Sequence, residues 1–111
     1  MAFSIDGSTR GGHAVLTVLG DIDTLTAPRL RERLMQLLDE DERRIVIDLE
    51  GVRFLDSSAL SVFVSARKHM DETGGELTLV CSQPTPRRVF EVTGLDQVFT
   101  IVDSLDAATR E

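Results

Sequence analysis

The chain has 111 residues, 41% hydrophobic and 28% charged, enough to bury a core in one domain and too few for two. Its formal net charge is -7 with a pI near 4.7, which excludes the basic face that nucleic acid or anionic lipid would need. Cys81 is the only cysteine, so no intrachain disulfide can form, and its apolar setting reads as a buried structural thiol.

In chain order, Phe3-Ser4-Ile5 alternates and predicts a short edge strand. Residues 7–12, ending in Gly11-Gly12, form the expected loop of a hairpin whose second strand is Ala14 to Leu19. Gly20-Asp21-Ile22-Asp23-Thr24 closes that strand with turn chemistry. Thr24 or Thr26 can then cap a helix with Pro28 in its first turn. Ala27, Leu30, Leu34, Leu37 and Leu38 recur at helical spacing, with Arg29, Arg31, Glu32 and Arg33 mostly opposite. The charged run Asp39 to Arg44 reads as a solvated connection.

Ile45-Val46-Ile47-Asp48-Leu49 is nearly continuous in apolar character, as expected of a strand covered on both faces. An amphipathic helix follows over about 57–70, ended by Gly74-Gly75, and Glu76 to Cys81 is the next strand. Pro84 and Pro86 open a short helix expected to carry Val89, Phe90 and Val92 inward until Gly94. Gln97 to Val102 predicts a last strand, and Asp103 or Ser104 caps a brief terminal helix through Leu105 and Ala108. Strands alternating with helices imply crossovers. The expected fold is α/β, a mixed sheet of about four or five strands with about four helices.

Function is most visible at Phe54-Leu55-Asp56-Ser57-Ser58-Ala59-Leu60, where strand gives way to helix. A hydroxyl at a helix entrance is accessible and close to backbone N–H groups expected to be unpaired. A phosphate there sits at the favourable end of the helix dipole. Placing residues 100° apart puts Ala59, Phe63, Ala66 and Met70 on the core face, with Val62 at its border. Ser57, Leu60, Ser61, Val64 and Lys68 fall in a second stripe. That stripe either packs under the preceding helix or meets a partner beside Ser57. Asp56 or either serine can equally be a plain N-cap. Ser57 projects outward, whereas Ser58 turns toward the side of Ser65 and His69.

Enzymatic readings find little support. A serine nucleophile needs a base and an oxyanion hole. The G-x-S-x-G elbow is missing, and His69 lies twelve residues along the helix from Ser57, about 18 Å by helical rise. Gly11-Gly12 and Gly74-Gly75 are isolated pairs without a phosphate-loop pattern. The histidines and the cysteine show no metal-ligand spacing. No enzyme, cofactor or metal is expected. No apolar run approaches the roughly 18 residues of a membrane span, and the opening residues lack a basic segment followed by an apolar one. A cytoplasmic protein is expected.

The run V-I-D-L-E-G-V-R-F-L-D-S-S-A-L, followed by G-G-E-L-T-L-V, resembles the STAS domain, and more narrowly the bacterial anti-sigma factor antagonists. Gly20-Asp21-Ile22-Asp23 with Thr26-Ala27, and Val89-Phe90-Glu91-Val92-Thr93-Gly94-Leu95, extend the likeness over residues 1–111 as one STAS domain. The resemblance implies partner switching. An unphosphorylated antagonist captures an anti-sigma factor that is also a serine kinase, and a sigma factor is freed. Phosphorylation by that kinase ends the binding, and a PP2C-type phosphatase restores it. The family's phosphoacceptor carries over to Ser57 and its preceding acid to Asp56, while Asp23 matches an acidic residue of the partner surface. Ser58, Leu60, Ser61 and Val64 complete the expected surface. The resemblance implies a protein that is a monomer when free, while the acidic charge and the lack of a long apolar run argue against direct contact with nucleic acid or membrane. Ala59 departs from the pattern, standing where Gly is common, and its methyl is expected to crowd a kinase approaching Ser57. The alternative is a STAS module that binds without switching, in a signalling scaffold or as a small subunit of a membrane transport system.

Overall fold

The computed structural model describes residues 2–110; Met1 and Glu111, the ends of the expected domain, lie outside the described residues. Five strands, β1 (Ser4–Arg10), β2 (His13–Leu19), β3 (Arg44–Gly51), β4 (Glu76–Val80) and β5 (Thr100–Val102), lie side by side in sequence order. The β1–β2 pair is antiparallel and the other three pairs are parallel, so the sheet is mixed as expected. Four α-helices connect or follow these strands: α1 (Ala27–Asp39), α2 (Ser57–Thr73), α3 (Pro84–Thr93) and α4 (Leu105–Thr109).

The hairpin is tighter than the sequence suggested. Pairing runs to Arg10↔His13, so only Gly11 and Gly12 turn the chain, both at positive φ (58° and 80°). Glycine reaches that conformation without penalty, and two such residues give the twist that antiparallel strands require. Polar residues 7–10 join β1 because an edge strand needs only its backbone to pair.

The helices are distributed unevenly. Ile45, Ile47 and Leu49 of β3 join Leu16, Leu30, Leu34, Phe63, Met70 and Phe90 in one core under α1, α2 and α3. Phe63, Phe90 and Phe99 meet there with ring centroids 6.1–6.4 Å apart. On the other face only Val15, Val46, Val80 and Ala108 are buried together, against the five-residue α4. The expectation that β3 is covered on both faces therefore holds at one end only. Asp48 and Glu50 stay half-buried on the open part of that face, where α4 is too short to reach.

Three smaller expectations are also corrected. Val92 is 74% exposed, because it lies about 200° around α3 from the buried Phe90. The chain after Gly94 forms a 3-10 turn at Leu95–Gln97, so the last strand begins only at Thr100. The fourth strand ends at Val80, and Cys81 follows it fully buried, its N–H donating to Val102 O at 2.9 Å. Burial, reinforced by the charge of Glu50, pushes the Cys81 thiol up to about 11, as suits an inert core cysteine. No helix among the described residues is long and apolar enough to cross a membrane.

Candidate functional site

Parallel strands β2, β3 and β4 end at the same edge of the sheet, so the loops leading into α1, α2 and α3 gather there. Two of those loops are stitched together. Ile22 N–H donates to Phe54 O at 3.0 Å, and Asp56 N–H donates to Ile22 O at 3.2 Å. Ile22 and Leu55 form a parallel bridge, with both side chains buried. This places Asp23, the residue after Ile22, beside the entrance of α2.

Asp23 is locked by its own turn. Its Oδ1 accepts from Leu25 N–H at 2.9 Å and Thr26 N–H at 3.1 Å, while Thr26 Oγ1 accepts from Asp23 N–H at 2.9 Å. Thr26 holds the cap position of α1, but its hydroxyl donates to Asp21 O at 2.8 Å rather than binding the helix. The turn lifts Leu25 out of the surface, where it is 83% exposed.

Asp56 caps α2 with extended backbone geometry. One carboxylate oxygen accepts from Ser58 N–H at 2.9 Å and also from the Ser58 hydroxyl. The Ser58 hydroxyl, and after it several backbone N–H groups, hold the Asp56 carboxyl below its usual range, burial opposing them. Asp56 O takes the N–H groups of Ala59 (3.1 Å) and Leu60 (3.3 Å). The amides expected to be free at this helix mouth are thus largely occupied, because Asp56 satisfies them with both its side chain and its carbonyl.

The two serines differ. Ser58 is half-buried and tied to Asp56, whereas Ser57 is exposed and its hydroxyl has no hydrogen-bond partner among the described residues. Ser61 Oγ donates to Ser57 O at 3.1 Å, and Ser58 and Ser61 face a groove shared with α1. The predicted stripe splits here. Leu60 is half-buried against the core, while Val64 stays 45% exposed about 6 Å further along the helix. Ala59 is fully buried, so its methyl points into the core and cannot crowd anything approaching Ser57.

Sequence reasoning missed Leu25 and Phe54, which is 47% exposed one residue before buried Leu55. A large apolar residue inside a polar turn was the available signal. Neither histidine serves Ser57. His13 is buried at the hairpin with its Nδ1 near Arg10 O and Gly11 O, and His69 is exposed on the last turns of α2.

A family model described as the STAS domain matches residues 4–108. The anti-sigma-B factor antagonist of Staphylococcus aureus is 30% identical over 101 residues, covering 91% of this chain and 94% of that protein. The crystal structure of an anti-sigma factor antagonist from Mycobacterium paratuberculosis superposes with a TM-score of 0.89 at 30% identity, covering 96% and 91% of the two chains. Bacillus SpoIIAA in its phosphorylated form, 21% identical, shares the fold at a TM-score of 0.73 over 98% of each chain.

Proposed function

The chain belongs to the STAS domain family, and on that premise we propose that it is an anti-sigma factor antagonist switched by phosphorylation of Ser57. In this reading the unmodified protein binds an anti-sigma factor with serine kinase activity and thereby frees a sigma factor. The observation that carries it is the unpartnered, exposed Ser57 hydroxyl beside a neighbour whose hydroxyl is already engaged.

The chemistry needs little from this chain. Ser57 Oγ attacks the γ-phosphorus of ATP bound to the kinase, the bond to the β-phosphate oxygen breaks, and ADP leaves. The serine proton passes to a base on the kinase. A PP2C-type phosphatase reverses the change by delivering water to phosphorus, with release of inorganic phosphate and return of the proton to Oγ. Ser57 is a substrate throughout and catalyses nothing.

Phosphorylation adds about −1.5 to −2 charges at neutral pH. With the N–H groups of Ser58, Ala59 and Leu60 already taken by Asp56, the phosphate remains at the surface rather than being drawn into the helix. It joins the carboxylates of Asp23 and Asp56 in a face that a partner must desolvate. A loss of about 3 kcal/mol in binding corresponds to more than a hundredfold in affinity. The fold itself tolerates the charge, because the helix dipole favours it and no core residue is displaced. Leu25, Phe54 and Val64 supply the apolar contacts around the serine, with Leu60, Ser58 and Ser61 behind them.

Incubation with the cognate kinase and ATP, followed by intact mass and fragment localisation, tests the proposal. One phosphate on Ser57, absent from Ser57→Ala, is the expected result. Modification at Ser58 instead would overturn Ser57 as the acceptor, and a Ser57→Asp protein that binds the kinase as tightly as the unmodified chain would leave a non-switching STAS module.

A further inference from the structure

The arginines of α1 are put to different uses. The Arg29 guanidinium lies 5.0 Å from the centroid of the Phe3 ring, and Arg33 Nη1 donates to Ile5 O at 3.2 Å, so both fasten β1 and its approach to the helix. Arg31, between them, is exposed and makes no hydrogen bond or ion pair with the described residues. Among the described residues it is the only charged side chain lining a groove of about 370 Å³ between α1 and α2. Ala27, Pro28 and Val62 give the groove an apolar wall, and Thr24, Ser58 and Ser61 bring hydroxyls to it. Ser58 adjoins Ser57 and Thr24 adjoins Asp23, so the groove opens directly beside the proposed switch.

Its chemistry selects an occupant. The Ser58 hydroxyl proton is committed to Asp56 and that of Ser61 to Ser57 O, which leaves the Arg31 guanidinium as the strong donor available in the groove. A planar guanidinium over an apolar wall fits a side chain with a methylene stem and a carboxylate head. The surroundings sharpen this. Asp23 and Asp56, beside the groove, favour basic groups on a partner there, and a basic group facing Arg31 would be repelled. An acid placed at that one point is attracted only in the correct register.

Resting on the antagonist reading above, we propose that the α1–α2 groove receives an acidic side chain, glutamate in character, from the anti-sigma factor, and that Arg31 pairs with its carboxylate. Arg31 is then a specificity determinant of the complex, separate from the phosphorylation switch at Ser57.

The test is a calorimetric titration of the purified anti-sigma kinase with wild type, Arg31→Ala, Arg31→Lys, Arg31→Glu and Ser57→Asp, each checked by circular dichroism for an unchanged fold. Arg31→Ala should weaken binding about tenfold or more and Arg31→Glu further, with Arg31→Lys retaining part of the affinity. A carboxylate-to-arginine change at the facing position of the kinase should restore binding to Arg31→Glu. Arg31→Ala binding within twofold of wild type would overturn the groove proposal. Ser57→Asp in the same series reports on the switch alone. If it binds normally while the Arg31 variants do not, the switch fails and the groove stands.

Discussion

The two ends of α2 serve opposite purposes. At its C-terminal end every device closes the chain. Gly74 turns left-handed at φ 77°, and the N–H groups of Gly74 and Gly75 return to Met70 O, the latter at 2.7 Å. Arg43 Nη1 reaches the Thr73 carbonyl at 2.7 Å, and Glu76 N–H donates to Arg43 O at 2.8 Å to start β4. At the N-terminal end Asp56 satisfies the N–H groups of Ser58, Ala59 and Leu60, yet what surrounds them is left open: a free serine hydroxyl, Leu25 and Phe54. A largely satisfied backbone combined with unsatisfied side chains is what a fixed recognition surface requires, as the proposed function asks of this end.

That contrast can be broken from either end. The largest effect should come from the core residue that supports both. Phe63→Ala removes a fully buried ring packed on Phe90 and Phe99, and should cost about 3–5 kcal/mol in denaturant unfolding. Binding would then fall only through loss of folded protein. Gly74→Ala forces a methyl into the left-handed region and should cost about 1–2 kcal/mol of stability. The affinity of the folded protein for its partner should be unaffected; a binding defect there would undo the division between the two ends. Leu25→Ser should do the reverse, leaving the melting temperature within a degree or so while weakening partner binding about tenfold, roughly 1.4 kcal/mol.

The smallest effect concerns pH. The folded Asp56 carboxyl lies below its ordinary value, so it contributes stability above that ordinary value and loses it as pH falls through the folded one. Ser58→Ala deletes the largest cause of the shift. Its stability, measured by denaturation from neutral pH down to about pH 3, should therefore decline less steeply than that of wild type. A carbon-detected NMR titration should show the Asp56 carboxyl moving back up toward the ordinary range.

Much of this was legible in the chain. The spacing of Ala59, Phe63, Ala66 and Met70 identified the buried face of α2, and all four are buried. The D-S-S entrance put an acid and two hydroxyls at the helix mouth, where the structure has them. What escaped depends on neighbours in space. Periodicity could not show that Asp56 occupies the amides, since Ala59 and Leu60 N–H reach its carbonyl only once the helix turns. It set outward Ser57 apart from Ser58, but could not show the hydrogen bond that ties Ser58 to Asp56. Val92 failed for a simpler reason: an apolar residue next to an inward one looks like core until the rotation about the short α3 is fixed by Phe90. Leu25 failed in the opposite sense, because nothing in a turn sequence states which way the turn points.

The central claim is that one phosphate on Ser57 ends partner binding without altering the fold. Calorimetric titration of the anti-sigma kinase with unmodified and Ser57-phosphorylated protein, with a melting curve for each, measures this directly. The account predicts at least a hundredfold loss of affinity at a nearly constant melting temperature. Equal affinity for both forms, or a loss of affinity that tracks a large drop in melting temperature, would contradict it.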